Sequence, residues 1–233
     1  MTLRDWALPL LFGVVLAMMG LAGWYGRRHP AGYDGPTGRE LCKAEMSLEQ
    51  FWLLVDASAT GEDTYRVQRL QYELNALTPT QLLGFELSFR SRLDEAHSWN
   101  LWGAVHVANG GASDDGFEYF RDWLISRGRT EFERVVRQPD DLADIVPADA
   151  RHVLELEDFG NGALERWMEK TGLEEARAAD RLRASNCHPR TDWQSSTPFE
   201  THAPTGSSFR SLPTELEKRY PKVWRRFGEH PIS

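Results

Sequence analysis

Asn109 to Gly128 read NGGASDDGFEYFRDWLISRG, and whether this stretch is a buried helix or an acidic loop decides how the rest of the chain folds. The glycine pair Gly110-Gly111 ends whatever precedes it, because glycine adopts the turn conformations that other residues avoid. From Phe117 onward the apolar residues recur at helical spacing: Phe117, Phe120 and Leu124 form one stripe, and Tyr119 and Trp123 a second. A helix apolar nearly all round sits in the middle of a core, and Gly128 is the expected stop. The acids at its start have a structural explanation. Asp115 and Glu118 have the spacing of a capping box, Ser113 and Asp114 are alternative caps, and all the acids lie at the positive end of the helix dipole.

The flanking sequence carries the same period. Upstream, WNLWGAVHVANGG predicts a short helix on which Trp102, His106 and Asn109 share a face leading into the acidic loop. Further upstream, Ser47 with Gln50 and Thr78-Pro79 with Gln81 are capping boxes that open two helices, the second reaching about His97. Asp63 to about Leu77 forms a helix between them. Downstream, Thr130 with Glu133 marks another start, and ALERWMEKTG and LEEARAADRLRA continue the pattern. No run of alternating β-branched residues competes with it. The expectation is an all-α fold: a single multi-helix domain over residues 47–184.

Outside that domain the composition changes. Trp6 to Tyr25, WALPLLFGVVLAMMGLAGWY, carries no charge and is long enough to span a bilayer, with Trp and Tyr at its ends. It predicts an N-terminal transmembrane helix within residues 1–26. Arg27, Arg28, Arg39 and Lys43 follow, and that bias favours a single-pass anchor in a bacterial cell membrane with the domain in the cytoplasm. The alternative is a secretory signal peptide cleaved near Gly20 and Ala22, releasing a secreted domain. Residues 27–46, rich in Gly and Pro, read as a juxtamembrane linker. Residues 185–213, nearly half Ser, Thr or Pro, read as flexible. Residues 214–233 hold Tyr220, Trp224 and Phe227 at helical spacing among basic residues, as in a segment that docks back onto the acidic domain.

The chain has 233 residues, a formal net charge of −8 and 41% hydrophobic residues, enough for one sizeable core. The acidic balance, with no basic patch in the central domain, speaks against a nucleic-acid partner. Cys42 and Cys187 are too few for a disulfide framework, although one bridge is possible in an oxidising compartment. No metal-ligand spacing, phosphate-binding glycine loop or nucleophile elbow occurs, so no metal site or cofactor is expected.

EQFWLLVDAS, WNLWGAVHVANGGASDDGFEYFRDWLISRG, FERVVRQPDDLAD and MEKTG resemble the recurring blocks of the bacterial domain of unknown function 4240. The resemblance covers about Met46 to Gly172, and ELEKRYPKVWRRF is similar to the closing segment of many members. It implies a domain boundary and a bacterial origin, and no catalytic residue; the N-terminal membrane segment departs from the soluble members. The residues themselves point to Asp114, Asp115, Glu118, His106, Asn109, Trp99 and Trp102 as a ligand-binding set. The expected function is an interaction or regulatory module that binds a protein or a small polar ligand. The alternative is a hydrolase using Asp114, Asp115 and Glu118, with or without a divalent cation.

Overall fold

The computed structural model describes residues 38–44, 46–148, 150, 152–185 and 203–232. Trp6 to Tyr25 lie outside them, and among the described residues no helix is long and apolar enough to cross a membrane. The described chain is all-helical, with a single isolated bridge between Ser98 and Thr205.

Local side-chain caps start three of the first four helices. Helix α1 (Leu48–Ser58) is closed by a reciprocal box, in which Gln50 N donates to Ser47 Oγ at 3.2 Å and Ser47 N to Gln50 Oε1 at 3.4 Å. Helix α2 (Asp63–Asn75) follows. Helix α3 (Pro79–Ala96) repeats the box with Thr78 and Gln81 and places Pro79 where its missing N–H is not needed. Helix α4 (Trp99–Ala108) is capped by Ser98. Helix α5 (Asp114–Ser126) is the central stretch, and its buried side chains include Phe117, Phe120, Trp123 and Leu124.

At α5 the cap differs from the expected box. Ser113, with extended backbone, accepts from Gly116 N at 3.1 Å, while Asp114 and Asp115 are already inside the helix. The reciprocal half of a box cannot form here, because the third helical residue after Ser113 is Gly116, which has no side chain. Ser113→Ala should therefore lower stability by about 1 kcal/mol, and Asp114→Asn or Asp115→Asn by only a few tenths through the helix dipole. Urea unfolding of the three variants checks this; equal losses at all three would return the cap to the acids.

Helix α6 (Arg129–Arg137) brings a second correction. It begins without the Thr130–Glu133 box: Gly128, at φ 91°, holds the N-cap position, and Asp56 Oδ1 of α1 accepts from Arg129 N at 2.8 Å. The cap comes from across the fold, and a Cβ on Gly128 would lie 2.6 Å from that same Asp56 oxygen. A 3-10 turn (Pro139–Asp141) and the short α7 (Leu142–Ile145) lead on to α8 (Glu157–Thr171), which packs against α2, α3 and α5 and buries Phe159, Ala163 and Trp167. Gly172 ends it in the left-handed conformation. Helix α9 (Glu175–Ser185) packs on a 3-10 segment (Gly38–Ala44) whose Cys42 is disulfide-bonded.

The chain closes on α4. Thr205 N donates to His97 O and Trp99 N to Thr205 O, each at 3.0 Å. Helices α10 (Pro213–Arg219) and α11 (Pro221–Phe227) then bury Leu216, Tyr220, Val223 and Phe227. The Tyr220 hydroxyl lies where a Cβ on Gly103 would stand, 2.2 Å from that position, so α4 needs glycine there.

Candidate functional site

The Ser98 hydroxyl and the Gly110-Gly111 turn aim α4 at the start of α5, and the rings of the two helices form a continuous stack. Trp99 and Trp102 lie 5.1 Å apart, Trp102 and Phe117 4.7 Å, Phe117 and Phe120 6.3 Å, and Phe120 and Trp123 5.7 Å. Trp102 also donates from Nε1 to Ala112 O at 3.1 Å, which holds the glycine turn. Phe209 covers the outer end, 6.2 Å from Trp99 and 5.3 Å from His106. Partial burial pushes the His106 pKa below its ordinary value. Asn109 is buried; its Oδ1 accepts from Leu154 N at 3.1 Å and so fastens the chain that leads into α8. Trp99, Trp102, His106 and Asn109 thus lie in or beneath packed segments.

The acids of α5 divide. Asp114 is exposed. Asp115 and Glu118 face the other way, into a cleft of about 380 Å³ between α3, α5 and α8, with Glu175 of α9 at its edge. The expected set is therefore not one constellation: two of its members line the cleft, and the others do not.

The floor of the cleft is built from residues that the sequence reading passed over. Glu86 and Arg90, one turn apart on α3, are 3% exposed each, and Arg90 Nε and Nη2 both lie 2.5 Å from Glu86 Oε1. The second oxygen, Glu86 Oε2, is buried without a hydrogen-bond partner. On α5, Asp122 is 6% exposed, and its Oδ1 is likewise buried without a partner. Gly160 of α8 allows this: a Cβ there would lie 2.8 Å from Asp122 Oδ2 and 3.0 Å from Oδ1. Burial raises the Asp122 pKa well above the usual carboxylate range, Glu118 and Glu86 push the same way, and Arg121 and Arg90 oppose them. At the mouth, Tyr119 hydrogen-bonds to Glu157, and desolvation together with that carboxylate raises its pKa.

A signal for this floor was present in the sequence. Asp115, Glu118 and Asp122 recur at helical spacing along α5, and Glu86 and Arg90 interrupt an otherwise uncharged run, LLGFELSFR. A charge inside a buried run has to meet a partner or a cavity. Among the described residues no group of three or more His, Cys, Asp or Glu converges closely enough to hold a metal ion. The cleft can accept hydrogen bonds and offer negative charge.

No curated protein and no solved structure matches the chain. A family model does, over residues 46–167, from the start of α1 to Trp167 of α8. That span contains Glu86, Arg90, Asp115, Glu118, Asp122 and Glu157, and it covers just over half of the chain. The chain belongs to the family described as Protein of unknown function (DUF4240).

Proposed function

We propose that the domain is a binding module whose ligand site is the cleft between α3, α5 and α8. One observation carries the reading: two carboxylates, each more than nine-tenths buried, leave an oxygen without a protein partner beside a cavity large enough for a small polar molecule. Burying such oxygens is unfavourable unless something meets them, and pockets that bind small molecules combine apolar walls with a few such polar groups. Phe89, Leu93 and Leu164 supply the apolar walls here. A hydrolytic reading would rest on Asp122, whose pKa burial raises, with Glu118 beside it in the cleft, and not on Asp114, which lies outside the cleft.

The disulfide at Cys42 supports placing the domain in an oxidising compartment, because disulfides persist there and are reduced in the cytoplasm. That favours the secreted alternative over the cytoplasmic one.

The test is a screen of sugars, organic acids and amines by amide chemical-shift mapping on the full chain, with Asn161→Trp as the blocking variant. Asn161 is exposed at the rim, so the larger ring fills the cleft without entering the core. Binders should perturb α3, α5 and α8 and lose affinity in Asn161→Trp. The proposal fails if nothing binds, or if binders perturb the Trp99 to His106 face instead.

A further inference from the structure

The charges around the cleft select among polar ligands. Among the described residues its lining carries the carboxylates of Glu86, Asp115, Glu118, Asp122, Glu157 and Glu175 against one cation, Arg90, whose guanidinium already holds Glu86 Oε1. An anion would meet repulsion from this carboxylate excess, and a neutral polyol would leave the excess charge unbalanced. The carboxylates also do not cluster as metal ligands do, since no described group of three converges on one point. They are strung along the cleft, with an apolar strip of Phe89, Leu93 and Leu164 among them. That layout fits an elongated cation with a hydrocarbon stem.

We propose that the cleft receives the ammonium end of an alkylamine, seated between Glu86 Oε2 and Asp122 Oδ1, with its methylene stem along Phe89, Leu93 and Leu164. This rests on the reading of the cleft as the ligand site. An alkylammonium brings three donors and no acceptor, which is what two unpartnered carboxylate oxygens require. It stays protonated at neutral pH, and its stem gains from burial against the apolar strip. The rim acids Asp115, Glu118 and Glu157 extend the negative field outward and steer a cation inward. The same chemistry belongs to a free amine and to a lysine side chain on a peptide.

Isothermal titration of the full chain with three probes of equal stem, pentylamine, pentanol and pentanoate, separates the classes. Diaminopentane and a blocked Gly-Lys-Gly peptide separate the sources. Pentylamine or diaminopentane should bind saturably and more weakly as salt is raised, while pentanol and pentanoate should not bind. Asp122→Asn, which keeps the side-chain shape, should weaken amine binding by roughly tenfold or more while its unfolding transition stays cooperative. Binding of the peptide with no response to the free amines would assign the ammonium to a protein lysine. Binding of pentanol or pentanoate that Asn161→Trp abolishes would overturn the ammonium assignment and leave the cleft as the ligand site. Amine binding that Asn161→Trp leaves intact, or that Asp122→Asn leaves at full strength, would also overturn it. No response to any probe overturns the ammonium assignment, and a parallel failure of the wider screen would remove the cleft itself.

Discussion

Asp140→Ala lowers the melting temperature by roughly 4 to 12 °C, the equivalent of about 2 to 3 kcal/mol in a domain of this size. Helix α11 opens with Tyr220 at its N-cap, and that side chain makes no capping bond. The cap comes instead from the 3-10 turn Pro139–Asp141. The Asp140 carboxylate accepts from Lys222 N at 2.9 and 3.1 Å and from Val223 N at 3.0 Å. Asp140 is only 5% exposed, so alanine leaves amide donors unsatisfied in a buried place as well as removing a charge from the positive end of a helix. Because α11 carries Tyr220, Val223 and Phe227 into the core against α4, loosening its first turn loosens the whole closing segment. Limited proteolysis should then cut between Pro213 and Ile232 sooner than in the parent. Asp140→Asn keeps one acceptor oxygen and should recover much of the loss. A melting temperature and cleavage pattern unchanged in Asp140→Ala would show that α11 docks without this cap.

Asp122→Asn acts in the opposite direction and depends on pH. Burial raises the folded-state pKa of Asp122 well above its unfolded value. Between those two values the native state retains a proton that the unfolded chain releases, so stability falls as pH rises. The contribution is fully present below the ordinary carboxylate pKa and is lost as pH climbs through the raised one. The groups that set the window are Arg121 and Glu118 on the same helix and Glu86 and Arg90 on α3; from α8, Gly160 against the carboxyl brings no charge and Glu157 lines the same cleft. Asparagine removes the titration, and at alkaline pH the variant should be more stable than the parent by about 1 to 3 kcal/mol. Urea unfolding at acidic, neutral and alkaline pH should show the two stabilities diverging as pH rises. Parallel pH profiles would mean that Asp122 titrates as an ordinary exposed acid.

The helices themselves were legible because their start signals are local. Ser47 with Gln50 and Thr78-Pro79 with Gln81 place the cap, its partner and the apolar stripe within one turn of each other, and both boxes form as spaced. Two further starts depart from the expected boxes. At α5 the N-cap is Ser113, so Asp115 lies inside the helix and its spacing to Glu118 closes no box, and at α6 the cap is Asp56, distant in sequence from Arg129. The binding set was read from one helix face and one loop, so it joined His106 and Asn109 to Asp115. In the fold His106 packs on Phe209, Asn109 accepts from Leu154 N, and Asp115 lines the cleft.

The sequence by itself determined the helical period, most of the helix boundaries, the central place of the Phe117 to Leu124 helix and the family. Each of these rests on interactions between residues a few positions apart, or on a pattern of residue types along the chain. Tertiary structure alone decided which carboxylates cap and which face a cavity. Asp56 and Asp140 reach helix ends that lie far away in sequence, Gly160 withdraws a side chain so that Asp122 can be buried, and α3 and α8 close over α5 to put Glu86 beside it. A carboxylate's role follows from what surrounds it, and here those surroundings come from other helices, at separations that no local spacing encodes.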